Sequence, residues 1–115
     1  MAKGRHLIVD CTNVPMETCL DDKRLMEVMA EAAWSANANV ISTSRYRFGH
    51  NSPPGCTVFI LLDESHISAH TYAQEGKVAI DVFTCGERVK SEDILETIIN
   101  KLKLEDYAVR ALDRF

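Results

Sequence analysis

Apolar positions recur at two different periods along this chain of 115 residues, and each period predicts its own kind of element. Spacings of three and four residues predict two amphipathic helices. The first starts behind a cap at Asp21–Asp22 and ends at Asn37, and Ser91 caps the second. Their apolar stripes comprise Leu25, Val28, Met29, Ala32, Ala33 and Ala36 in the first helix, and Ile94, Leu95, Ile98, Ile99 and Leu102 in the second.

Shorter apolar or alternating runs predict six strands, which lie at residues 5–10, 40–48, 57–62, 65–72, 78–84 and 107–112. Residues 49–55 hold two prolines and two glycines, which predicts a loop. Short turns between the middle strands favour antiparallel pairing. The order β-α-β-β-β-β-α-β therefore predicts an α+β fold, a two-layer sandwich whose mainly antiparallel sheet carries both helices on one face.

The second face of this sheet is predicted to be an interface. The central strands are apolar on both faces, and two helices can cover only one of them. In a chain this small, a second copy is the obvious cover for the other face. We expect a dimer or a higher oligomer in which two sheets face each other.

Length and composition narrow the classes of function. One hundred and fifteen residues, 46% hydrophobic and 26% charged, predict a single folded domain over residues 1–115. The net charge of −4 disfavours nucleic acid as a partner, because that binding requires Lys and Arg to neutralise phosphates. No apolar run approaches the roughly 18 residues of a membrane span. Only three apolar residues follow the charged start, so we expect no signal peptide and a cytoplasmic location.

The cysteines are predicted to be free thiols, because disulfides are rare in the cytosol. Cys11, Cys19, Cys56 and Cys85 form no CxxC pair, which argues against a structural zinc site.

Candidate chemistry concentrates after residue 63. Alternation along a strand places His66, Ser68, His70 and Tyr72 on one face. Such polar groups on an apolar sheet either bond to one another and to backbone or carry chemistry. A metal site formed by His66, His70 and Cys85 is a weak alternative, because no carboxylate or second ligand pair supports it. A serine hydrolase is equally weak, because the chain has no G-x-S-x-G elbow.

Two motifs on these strands carry a resemblance to a known family. Residues 64–71 read ESHISAHT and residues 81–86 read DVFTCG. Together they resemble the signature of the small prokaryotic S-adenosylmethionine decarboxylases, which are pyruvoyl enzymes of polyamine and spermidine biosynthesis. Residues 4–8 and the order of the two helices fit as well, so the resemblance covers nearly the whole chain.

The resemblance implies that the chain is a proenzyme that cleaves itself between Glu64 and Ser65. The products are a β chain of residues 1–64 and an α chain of residues 65–115. Ser65 becomes a covalent pyruvoyl cofactor, which binds the amine of a small substrate as a Schiff base and accepts the electrons released with CO₂. The implied partners are the two chains of one precursor and further copies, as a dimer of processed heterodimers.

Three further residues match functional positions of the family. His70 matches a histidine that assists processing, and Thr57 matches a hydroxyl-bearing helper eight residues before the cleavage serine. Cys85 matches the cysteine that protonates the carbanion after CO₂ leaves. No metal is implied.

The chain departs from the family around the nucleoside. A family glutamate that bonds the ribose aligns with Gln74, and Glu75 replaces it if the turn shifts by one residue. Phe48 matches a ring that stacks on adenine, but residues 49–51 lengthen the loop that follows. These losses leave open a pyruvoyl decarboxylase of L-ornithine or L-arginine, with Asp63, Glu75 or Asp81 meeting a distal cation. A non-catalytic, unprocessed subunit is a third alternative, against which the intact Ser65, His70 and Cys85 argue.

Overall fold

The computed structural model describes residues 3–115, which form six strands and three helices. In chain order these are β1 (Gly4–Thr12), α1 (Met16–Leu20), α2 (Asp22–Ser35), β2 (Val40–Phe48), β3 (Gly55–Leu62), β4 (Ser65–Tyr72), β5 (Lys77–Cys85), α3 (Ser91–Leu102) and β6 (Asp106–Arg114). None of the three helices in this range is long and apolar enough to cross a bilayer.

The strands form one antiparallel sheet in the order β2-β3-β4-β5-β1-β6. The hairpins β2–β3, β3–β4 and β4–β5 follow one another, as the short turns predict. The chain then returns through α3 to β6, which pairs with β1. The predicted α+β fold and its antiparallel sheet are confirmed.

The core lies between the sheet and the helices α2 and α3, which pack on the same face and against each other. Alternate strand residues point into it, as the period of two requires. The fully buried side chains include Leu7, Val9, Val58, Ile60, Ile67, Ile80 and Val82 from the sheet and Leu25, Val28, Met29, Ile94 and Ile98 from the helices. Both predicted amphipathic stripes therefore face the sheet.

None of the helices within residues 3–115 covers the opposite face of the sheet, here called the open face. It carries apolar side chains that remain exposed in the single chain: Tyr46, Phe59, Leu61 and Leu112. Apolar residues on both faces are thus confirmed for the central strand β3. The second copy that would cover the open face remains a prediction.

The ends of the helices differ in part from the sequence predictions. Asp21 caps α2 as expected, because its carboxylate accepts a hydrogen bond from the Arg24 N–H at 3.1 Å. Ser91 is not a cap, because Lys90 occupies the cap position of α3. The Ser91 hydroxyl is buried instead, donates to the Arg5 carbonyl at 2.8 Å and lies 2.7 Å from Thr84 Oγ1. It ties α3 to β1 and β5.

Two further features were missed. The helix α1 has only five residues, too few to show a helical period. Its Cys19 carbonyl accepts a hydrogen bond from the Thr71 hydroxyl at 2.7 Å. The strand β3 starts at Gly55, inside the predicted loop, where a Cβ would collide with the Thr71 carbonyl oxygen and the Phe48 ring. Only glycine lets the ladder continue there.

Candidate active site

The bond between Glu64 and Ser65 lies at the tight turn that joins β3 to β4. The Glu64 carbonyl oxygen accepts a hydrogen bond from the Cys85 N–H at 2.9 Å. Ser65 has a φ of +152°, a conformation that L-residues rarely adopt and that stores backbone strain. Its hydroxyl oxygen lies 3.8 Å from Cys85 Sγ. One end of β4 thus gathers the Glu64–Ser65 peptide and the Cys85 thiol, here called the serine half-site.

A second cluster lies at the other end of β4, here called the histidine half-site. Thr57 and His70 are directly opposite each other in the β3–β4 register, and Thr57 Oγ1 lies 2.8 Å from His70 Nδ1. The Phe48 ring stacks on the His70 ring with centroids 5.0 Å apart, and Tyr72 lies 4.9 Å away on a tilted plane. These contacts fix the orientation of the imidazole.

A cavity of about 390 Å³ opens at the histidine half-site. Its lining comprises Phe48, Pro53, Pro54, His70, Tyr72, Gln74 and Glu75. The three substrate-binding candidates Phe48, Gln74 and Glu75 therefore lie together despite the lengthened loop. Of the acidic residues considered for a distal cation, only Glu75 lines this cavity. Asp81 is bonded instead to a side chain, with its Oδ1 3.0 Å from His6 Nε2.

The two half-sites are far apart within one chain. Ser65 and His70 are separated by five residues of the extended strand β4, which corresponds to about 17 Å. Direct proton transfer requires contact within about 3 Å. The structure thus brings Ser65 to Cys85 and Thr57 to His70, but it does not bring these pairs together in a single copy.

The thiols differ sharply in exposure. Cys85 is exposed, whereas Cys11, Cys19 and Cys56 are buried. Burial raises the pKa of all three buried thiols, that of Cys11 to about 11. Cys85 is therefore the accessible thiol for chemistry among the four. Within residues 3–115, no three side chains of His, Cys, Asp or Glu gather closely enough to hold a metal ion.

Two residues next to the predicted cleavage site were not found from the sequence. Asn39 precedes β2 and Arg88 lies between β5 and α3. Both bind the Glu64 carboxylate, at 3.0 Å from the Asn39 N–H and 2.7 Å from the Arg88 guanidinium. They lie 25 and 24 residues from Glu64 along the chain, so no local motif links them to it.

Comparison with known proteins identifies the family of this chain. The sequence profile of the S-adenosylmethionine decarboxylase family matches residues 5–115. The chain belongs to the S-adenosylmethionine decarboxylase family. The predicted resemblance is confirmed, and with it the assignment of the chain to a class of carboxy-lyases.

Individual members of the S-adenosylmethionine decarboxylase family are similar over nearly the full length. The chain is 39% identical to the S-adenosylmethionine decarboxylase proenzyme of Brevibacillus brevis, over 96% of this chain and 81% of that protein. It is 34% identical to the proenzyme of Moorella thermoacetica, over 98% and 88% of the two chains. The crystal structure of the Aquifex aeolicus adenosylmethionine decarboxylase superposes with a TM-score of 0.83 at 31% identity, over 98% and 91%.

Proposed function

We propose that this chain is a proenzyme that cleaves itself between Glu64 and Ser65 and then decarboxylates S-adenosylmethionine to the aminopropyl donor of spermidine synthesis. The observation that carries the proposal is the strained Ser65, which follows a carbonyl already bonded to a backbone N–H. A strained peptide with a polarised carbonyl is what an attack by a weak serine nucleophile requires.

The processing chemistry follows from this arrangement. Ser65 Oγ attacks the Glu64 carbonyl carbon, and the Cys85 N–H stabilises the charge that develops on the carbonyl oxygen. The C–N bond then breaks as the nitrogen takes up a proton, which leaves an ester. Loss of the Ser65 Cα proton expels the Glu64 carboxylate and leaves dehydroalanine. Its imine tautomer takes up water, releases ammonia and leaves the pyruvoyl group at residue 65.

The proton acceptor for this attack comes from a second copy in our proposal. A two-fold axis between two facing sheets, perpendicular to the strands, places the serine half-site of one copy over the histidine half-site of the other. The exposed apolar side chains of the open face supply the contact surface, among them Phe59 and Leu61. Each dimer then contains two complete sites, and Thr57 keeps the His70 ring oriented in both.

The residues around Ser65 fit a pyruvoyl group, because the hydroxyl that must be eliminated is intact and the Cys85 thiol lies 3.8 Å from it. When formed, that group supplies an electron-accepting ketone for decarboxylation. Cys85 is the exposed acid that delivers a proton to the carbon that loses CO₂. No other described cysteine reaches the surface.

Substrate recognition is assigned to the cavity beside His70. The Phe48 and Tyr72 rings offer faces for an adenine, and Gln74 offers an amide for the ribose hydroxyls. An alternative substrate, L-ornithine or L-arginine, is favoured only by the Glu75 carboxylate in the lining. That carboxylate already lies 3.5 Å from the Lys77 ammonium and is largely exposed. We therefore assign S-adenosylmethionine.

Two measurements test this function. Intact-mass analysis of the purified protein should show chains of residues 1–64 and 65–115, and Ser65→Ala should remain one chain. Release of CO₂ from S-adenosylmethionine, L-ornithine and L-arginine should then be compared in parallel. An uncleaved parent protein, or faster release from either amino acid, would overturn the assignment.

A further inference from the structure

The Glu64 side chain is held much more firmly than its position in a surface turn requires. Its Oε1 accepts a hydrogen bond from the Asn39 N–H at 3.0 Å. Its Oε2 accepts from Asn39 Nδ2 at 3.2 Å and from Arg88 Nη2 at 2.7 Å. The side chain is only 12% exposed. The Asn39 N–H and the Arg88 guanidinium hold the pKa of Glu64 below its usual value.

The same neighbours hold the backbone of the turn. The Asn39 carbonyl oxygen accepts a hydrogen bond from the Asp63 N–H at 2.9 Å, so Asn39 contacts both residues of the turn. The Cys85 N–H holds the Glu64 carbonyl oxygen from the opposite side. Anchors from two separate parts of the chain, Asn39 before β2 and residues 85–88 after β5, thus hold the turn at Glu64. Strain of the kind seen at Ser65 persists only where the surroundings fix it in this way.

We propose that Asn39 and Arg88 form a carboxylate clamp on Glu64 that positions the Glu64–Ser65 peptide for self-cleavage. The proposal rests on the proposed self-processing. Holding the Glu64 side chain prevents the turn from relaxing, so the carbonyl stays on the Cys85 N–H and Ser65 stays in its strained conformation. Asn39 and Arg88 touch no reacting atom, and they are positioning residues that act through Glu64.

The clamp also spans the bond that breaks. Asn39 and Glu64 belong to the segment before the cleavage point, and Arg88 to the segment after it. Charge-assisted bonds to a carboxylate are stronger than neutral ones. The ion pair between Arg88 and Glu64 therefore persists across the cut and keeps the new carboxyl terminus next to Cys85.

The rate of cleavage tests the clamp directly. Precursor made by cell-free translation is followed in time on denaturing gels for the parent, for Arg88→Met and for Arg45→Met. Arg45 is the matched control, because it forms a similar ion pair with Asp22 at 2.6 Å away from the turn. We expect Arg88→Met to cleave about three- to fivefold more slowly, the effect of losing one partly exposed ion pair. Arg45→Met should keep the parental rate.

A double-mutant cycle separates positioning from a general loss of stability. In the Glu64→Ala background, Arg88→Met should slow cleavage no further, because its partner is absent. Hydroxylamine, which cleaves esters faster than amides, should release less product from Arg88→Met precursor at early times, because less ester has formed. Parental cleavage by Arg88→Met, or an equal slowing in both backgrounds, would overturn the clamp. Absence of cleavage in the parent itself would instead overturn the proposed self-processing.

Discussion

Mixing two inactive variants tests whether the active site is shared between two copies. Ser65→Ala lacks the proposed nucleophile, and His70→Ala lacks the proposed proton acceptor. Within one chain these residues are about 17 Å apart, well beyond the roughly 3 Å reach of direct proton transfer. If each site combines both half-sites across a dimer, a mixed dimer holds one intact site and one that lacks both groups.

The expected recovery follows from random pairing. Equal amounts of the two variants give about half mixed dimers, each with one working site in two, so about a quarter of all chains should be cleaved. The variants are co-expressed with distinguishable tags, and the cleaved fraction is read by intact mass. Release of CO₂ is measured in parallel, with Ser65→Ala mixed with Cys85→Ala as the control. Both of these defects fall in the serine half-site, so no mixed dimer of this pair regains decarboxylation. No cleavage in the first mixture, with mixed dimers present, would refute the shared site.

The remaining predictions concern single groups. Cys85→Ala should still cleave but lose about 10²- to 10⁴-fold in kcat, because the carbanion lacks its acid; turnover within threefold of the parent would assign the proton to another group. Gln74→Glu should lower KM for S-adenosylmethionine by the equivalent of roughly 1–2 kcal/mol, because a carboxylate binds a ribose hydroxyl more strongly; an unchanged KM would remove residue 74 from the ribose site. Iodoacetamide should label Cys85 in the folded protein and Cys11 only after unfolding, because burial raises the pKa of Cys11 to about 11; peptide mass mapping detects either. The Glu64 carboxylate should stabilise the folded protein fully above about pH 4.3, and this stabilisation should be lost as the pH falls through its lowered folded pKa, because protonation breaks the bonds from Asn39 and Arg88. The test measures the thermal unfolding temperature of the uncleaved Ser65→Ala variant against pH. Adding Glu64→Ala to that variant should remove this pH-dependent component.

The fold was predictable because local patterns and long-range packing agree. Strand alternation in residues 65–72 placed His66, Ser68, His70 and Tyr72 on one face, and the structure shows that His70 lies on the open face, opposite Thr57. The sequence predictions were wrong where a residue bonds to, or packs against, a part of the chain that is distant in sequence. Ser91 resembles a cap, but its hydroxyl bonds the Arg5 carbonyl instead. Gly55 resembles a loop residue, but close approach of the Thr71 backbone requires it within a strand.

The candidate site was predictable only residue by residue. The motifs predicted Ser65, His70 and Cys85 as site residues, but a motif does not show that most of the length of β4 separates Ser65 from His70. Asn39 and Arg88 carried no signal, because their contact with Glu64 is formed by tertiary packing across about 25 residues. Polar residues that act through another side chain are therefore found from coordinates, not from sequence patterns.

The order of strands gives the proposed cut after Glu64 a consequence for folding. The segment before the cut supplies β1, β2 and β3, and the segment after it supplies β4, β5 and β6. In the sheet the strands of the two segments interleave. The strands β4 and β5 lie between β3 and β1, and β1 lies between β5 and β6. Three ladders therefore join the two pieces, and neither piece can leave without opening the sheet. The precursor folds as one chain, whereas its processed product must reassemble from two interleaved fragments, so its recovery after denaturation should depend on concentration.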